Sequence, residues 1–123
     1  MQEIIFGGES YYFWTFYRKC NFHGTMLNYY NGGSSYLPHS DNSAISIIFT
    51  FFREPKAFEG GNILFPDFDY EIPAENNSAV IFPGYVTHGI SEVSVDGSSA
   101  NQGLSRFGLV LFLSHVDSRE HRG

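Results

Sequence analysis

The sequence predicts an all-β domain, a sandwich or a barrel, and three observations carry the prediction. Helical periodicity is nearly absent, while short β-branched and aromatic runs recur. Gly, Pro, Asn and Asp punctuate those runs at close intervals, as tight turns between strands require. Aromatic residues make up 18% of the chain, with 13 Phe and 8 Tyr, which suits pleated, half-buried surfaces and argues against disorder.

About eight runs read as strands: 26–30, 35–39, 45–52, 62–65, 70–72, 79–82, 88–95 and 106–113. Breakers such as Asn31-Gly32-Gly33, Gly60-Gly61, Glu75-Asn76-Asn77 and Pro83-Gly84 separate them. Two runs, 45–52 and 107–113, are apolar on both faces, so each belongs in the middle of a sheet with the core on one side and a cover on the other. The first twenty residues are the expected cover, since residues 11–17 place six aromatics in seven positions; the alternative reading of that segment is a partner's surface. Residues 96–103 are small and polar and read as a solvated loop, and the tail 115–123 alternates charges without an apolar face. The expected organisation is therefore a covering segment over 1–20, one β domain over 21–114 and a polar tail over 115–123.

A chain of 123 residues holds one such domain. Its formal net charge of −6 excludes a protein that tracks long nucleic acid through phosphate contacts. Cys20 is the only cysteine, which rules out an internal disulfide and a thiolate zinc cage and leaves it as a small buried hydrophobe. Residues 1–19 lack the pattern of a signal peptide, and no apolar run approaches the ~18 residues of a membrane span. A cytoplasmic protein without membrane attachment is expected, and its oligomeric state is left open.

The residues with the clearest chemistry are His39 and Asp41. On a strand, positions i and i+2 share a face, so an imidazole and a carboxylate can reach one point, and a metal is the natural candidate for it. His88 opens a later strand and supplies the best third ligand. Two imidazoles and one carboxylate on one side of a metal form a facial triad that leaves other coordination positions open. On these residues alone a structural or surface role for each histidine stays open. His23, His115 and His121 match no such pattern and read as surface residues.

The company these residues keep resembles a known family, the Fe(II)- and 2-oxoglutarate-dependent dioxygenases, in its prolyl-4-hydroxylase-like branch. The pattern Tyr-x-x-Gly-x-x-Tyr-x-x-His-x-Asp reads here as Tyr30, Gly33 (with Gly32 beside it), Tyr36, His39 and Asp41. The family's Gly-Gly-x-Leu turn looks like Gly60-Gly61-Asn62-Ile63-Leu64, and its pre-ligand strand and turn look like Ala79-Val80-Ile81-Phe82-Pro83-Gly84, followed by His88. The pieces come in the family's order and cover roughly residues 26 to 113.

The resemblance implies a double-stranded β-helix, a jelly roll or cupin-like barrel with little helix. It implies Fe(II) on His39, Asp41 and His88, with 2-oxoglutarate as cosubstrate, O2 as oxidant and ascorbate as an accessory reductant. The far carboxylate of 2-oxoglutarate needs a basic partner, and Arg suits it because its planar fork gives two charge-assisted hydrogen bonds. Arg106 opens the last strand and is the only Lys or Arg between Lys56 and Arg119; the alternative is an Arg at a strand mouth reaching solvent. It stands 18 residues after His88, a longer gap than the family's, which makes 96–103 an insertion outside the barrel register. The family often has Ser two residues after the Arg, and here Gly108 stands there. Tyr30 and Thr50 are the candidates to replace that hydroxyl contact. Tyr36 is expected either in the pocket or packed under the turn.

The implied reaction is hydroxylation of a C–H bond, foremost of a prolyl residue in a peptide or protein, with succinate and CO2 released. A small-molecule substrate is the other option. Two different classes stand as alternatives: a non-catalytic jelly-roll binding module, and a cupin-like metalloenzyme that does not use 2-oxoglutarate.

Overall fold

The computed structural model describes residues 2–5, 18–97, 100 and 102–115. The strands in chain order are β1 (Gln2–Ile5), β2 (Phe22–Tyr30), β3 (Tyr36–His39), β4 (Ile45–Phe51), β5 (Phe58–Gly60) and β6 (Ile63–Phe65). After a 3-10 turn at Pro66–Phe68 come β7 (Tyr70–Ile72), β8 (Ser78–Pro83), β9 (His88–Ile90), β10 (Val93–Val95) and β11 (Arg106–Ser114).

They form a five-stranded sheet in the order β1-β8-β4-β11-β2, a four-stranded sheet in the order β3-β9-β6-β7, and a two-stranded ribbon of β10 and β5. All pairings are antiparallel except that of β1 with β8. The two runs apolar on both faces, β4 and β11, are neighbours in the interior of the larger sheet. That is where such runs belong, because a strand buried on both faces has no polar side to show.

Alternation assigns the faces. Ile48, Val80, Phe82 and Val110 of the larger sheet meet Ile63, Phe65, Ile72 and Ile90 of the smaller one in a single buried cluster. Phe65 and Phe82 have no exposed surface and meet edge to face across the two sheets, with ring centroids 5.2 Å apart. Burying a side chain of that size is worth about 1.5–3 kcal/mol. The residues between, Ile45, Ile47, Ala79 and Ile81, are buried on the opposite face together with half-buried Cys20, Phe49, Leu111 and Leu113. Cys20 thus packs as a hydrophobe, and burial pushes its thiol upward, away from thiolate chemistry.

Each of the eight expected runs contains a strand, and three differences stand out. β1 and β5 are additional. The run 88–95 is two strands: Ile90 and Val93 are both buried, which simple alternation forbids, so the chain breaks at Ser91-Glu92 and β10 leaves to pair with β5. Of the expected cover, residues 2–5 form the parallel edge strand, and residues 11–17 lie outside the described residues, as do 116–123 of the tail. His23 and His115 are exposed, and His121 lies outside the described residues. Among the described residues no helix is long and apolar enough to cross a membrane.

Candidate metal centre and its cavity

His39 and His88 are directly opposite each other on the antiparallel pair β3 and β9, with ring centroids 4.5 Å apart. β3 is the edge of its sheet, where Pro38, lacking an N–H, removes no interior ladder bond. Just after β3, the Asp41 amide donates to the Gly84 carbonyl at 2.8 Å, which ties the carboxylate-bearing residue to the turn ahead of β9.

His39 and Asp41 thereby converge with His88, which is distant in sequence. His39 Nε2 is 3.2 Å from Asp41 Oδ1, His88 Nε2 is 3.2 Å from Asp41 Oδ2, and one ligand atom from each residue lies within 4.8 Å of the others. Their tautomers follow from the second ring nitrogen. His39 Nδ1 donates to the Leu37 carbonyl at 2.9 Å and His88 Nδ1 to the Val86 carbonyl at 2.7 Å, since a carbonyl only accepts. In each neutral imidazole the Nε2 lone pair therefore faces a carboxylate oxygen. Two lone pairs aimed at an anion repel unless a cation lies between them, so the donor set fits a divalent metal.

Burial opposes ionisation of Asp41, yet the side chains of His88 and Ser46, with His39 beside them, outweigh it and hold the carboxyl below its usual range. Ser46, wholly buried on the inward face of β4, donates to Asp41 Oδ2 at 2.7 Å, and Ser43 Oγ lies 2.7 Å from Ser46 Oγ.

The triad opens into a cavity between the two sheets. Tyr30, Tyr36, His39, Asp41, His88 and Arg106 all line it, together with Met26, Ile48, Ile90, Gly108 and Val110. Tyr36 stacks on His39, with centroids 4.4 Å apart, so it is a cavity wall.

Arg106 is 1% exposed. Its strand partner on β2 is Tyr30, whose ring lies 5.1 Å from the guanidinium carbon. Nε donates to the Gly61 carbonyl at 2.7 Å and Nη2 to Thr50 Oγ1 at 2.9 Å. That leaves three of the five guanidinium N–H groups without a protein partner among the described residues. No carboxylate there forms a salt bridge with it, and burial pushes the guanidinium down to about 10.

Two glycines shape its channel. A Cβ at Gly61, where φ is +70°, would sit 2.7 Å from Arg106 Cδ, and one at Gly108 would sit 2.7 Å from Arg106 Nη1. Gly108 therefore makes room for the arginine in place of a hydroxyl contact. Thr50 stands behind Arg106 and does not itself line the cavity.

Sequence reasoning missed Ser46, Ser43 and the steric role of Gly61 and Gly108. A serine inside an apolar strand, as in Ile45-Ser46-Ile47, is the one sequence signal that pointed to the first of them.

No protein-family profile matches the chain, and no curated protein matches it in sequence. In structure it is similar to a Pseudomonas putida prolyl-4-hydroxylase, with a TM-score of 0.54 and 18% identity over 80% of this chain. The fold is a jelly roll. The matched region is 55% of that hydroxylase chain, so this protein spans little more than half its length. An RmlC-like cupin protein from Desulfovibrio desulfuricans is also similar, with a TM-score of 0.48 and 17% identity over 73% of this chain and 71% of the other. Within the jelly roll, the His-Asp-His triad sits where the small sheet's β3 and β9 face the inner side of β4, and Arg106 lies on β11 of the large sheet.

Proposed function

We propose that the chain is an Fe(II)- and 2-oxoglutarate-dependent dioxygenase that hydroxylates a C–H bond, with a prolyl residue of a peptide or protein as the substrate class. The observation that carries this reading is Arg106: a buried guanidinium without a carboxylate partner among the described residues, in the same cavity as a His-Asp-His donor set. An unpaired buried charge costs several kcal/mol, and a ligand anion is the partner that removes the cost.

β4 sets the shape of that ligand. Ser46 and Thr50 face inward four residues apart, about 13 Å along the strand, with Ile48 between them. One end of the cavity suits a metal and the other an anion, and the floor between is apolar. A keto diacid has this pattern.

Bound Fe(II) would supply the redox chemistry that couples oxidative decarboxylation of 2-oxoglutarate, with O2, to hydroxylation. The residues of the chain hold and orient. His39, Asp41 and His88 would occupy one face of the metal and leave the other for ligands. Arg106 would take the far carboxylate through its Nη groups, and the Tyr30 ring would keep water from that pair. Tyr36 and Met26 wall the cavity on the substrate side.

Turnover tests the reading. With Fe(II), 2-oxoglutarate, O2 and ascorbate, a proline-containing peptide should yield succinate and a product one oxygen atom heavier. Succinate absent with every peptide and small-molecule substrate tried points to a binding module, and turnover independent of 2-oxoglutarate points to a cupin-like metalloenzyme.

A further inference from the structure

Ser46 has one hydroxyl proton, and its direction is fixed. Asp41 Oδ2 can only accept, so Ser46 donates to it at 2.7 Å, and Ser43, 2.7 Å away, must then donate to Ser46. The result is a polarised chain, Ser43 to Ser46 to Asp41, buried at the end of the cavity. Ser46 has no solvent exposure, and its strand partners are Phe82 and Phe112, so no water replaces its bond. Such a bond to a carboxylate is short and charge-assisted.

This arrangement distinguishes the two oxygens of Asp41. Both oxygens lie 3.2 Å from an imidazole Nε2, Oδ1 from His39 and Oδ2 from His88, but only Oδ2 carries the Ser46 hydroxyl bond. A carboxylate with both oxygens free can chelate a cation through both and so fill two coordination positions. A buried hydroxyl on Oδ2 occupies one of its lone pairs and weakens it as a donor, which favours ligation through Oδ1.

We propose that Ser46 is a positioning residue that holds Asp41 to one-oxygen ligation, so that a divalent metal on His39, Asp41 and His88 keeps three exchangeable positions and not two. The inference rests on the reading of those three residues as metal ligands. It explains why Ser46 is polar at the metal end of β4's inward face: a ligand that chelates through two atoms, together with a second molecule, needs three open positions of an octahedral six.

The test uses Mn(II) and the purified chain, with water proton relaxation counting the waters on the bound ion. Wild type should bind Mn(II) with three exchangeable waters. Ser46→Ala should keep two, a loss of about a third of the inner-sphere relaxation, because Oδ2 is released to the metal. Ser43→Ala should keep three, since Ser46 retains its own proton on Asp41. Ser46→Cys keeps the volume and has only a weak donor, so it makes the same prediction as the alanine variant should that variant fold poorly. Three waters in the folded Ser46 variants overturn the role of Ser46 and leave the metal centre standing. A wild-type chain that does not bind Mn(II) overturns the metal centre itself.

Discussion

Ser46 and Thr50 stand on the same face of β4, and each holds one end of the cavity. Ser46 Oγ donates to Asp41 Oδ2 at 2.7 Å, and Thr50 Oγ1 accepts from Arg106 Nη2 at 2.9 Å. One central strand, paired on both sides, thus fixes the spacing between the His-Asp-His end and the Arg106 end. Sites supported by strands in this way are held more closely than sites on loops.

Arg106 is expected to be costly for the fold and needed for the ligand. The fall of its guanidinium from the ordinary arginine range to about 10 corresponds to about 3 kcal/mol against the charged form, at 1.36 kcal/mol per unit. The unfolded chain binds the proton more tightly, so this cost is present at neutral pH and fades as pH rises above about 10. Arg106→Met, close in volume, should therefore unfold in urea at the same denaturant concentration as wild type or a higher one, while losing 2-oxoglutarate affinity by at least 100-fold. A loss of several kcal/mol in ligand-free stability would make Arg106 a structural residue instead.

Gly108 gives a gentler probe of the same end. A Cβ there would meet Arg106 Nη1 at 2.7 Å, closer than any ordinary contact. Gly108→Ala should shift the guanidinium and weaken 2-oxoglutarate binding about 10-fold, or roughly 1.4 kcal/mol, by calorimetry with Mn(II) in place of iron. Metal affinity without cosubstrate should stay at the wild-type value, and a loss there would show that the two ends are not independent.

Much of this was legible in the sequence, and the remainder has physical reasons. Alternation and breakers located β4, β8 and β11 because long apolar runs bounded by turns leave little choice. β5 was hidden because Phe58-Glu59 runs straight into Gly60-Gly61, which reads as a turn. β1 is four residues followed closely by Gly7-Gly8, too short to rise above noise. Of the site, His39, Asp41, His88, Arg106, Tyr30 and Tyr36 line one cavity as their spacing and the family pattern suggested, despite the 18 residues between His88 and Arg106. The insertion is absorbed between β10 and β11, where the described loop residues Asp96, Gly97, Ala100 and Gln102 are exposed and the register of Arg106 against Tyr30 is kept. Thr50 could not be placed from spacing alone, because strand position gives the face and not which side chain stands in front.

Asp41 should leave a signature in acid. Its carboxyl is held below the ordinary value in the folded chain, so it contributes stability that is present above about pH 4 and is lost as pH falls through the folded value. Asp41→Asn removes that contribution. In chelator, the difference in unfolding free energy between wild type and Asp41→Asn should shrink on acidification below pH 4. A difference that is flat with pH would mean that the folded chain does not favour the Asp41 anion.

The central claim is that one cavity joins a metal triad to an anion-binding arginine, and anaerobic titration of the purified chain with Fe(II) and 2-oxoglutarate tests it most directly. The visible charge-transfer band of the chelate should appear in wild type and, at equal 2-oxoglutarate, be lost or need at least 100-fold more cosubstrate in Arg106→Ala. No band in wild type at saturating iron and 2-oxoglutarate would contradict the account, and an Arg106→Ala band with wild-type 2-oxoglutarate affinity would remove Arg106 from it.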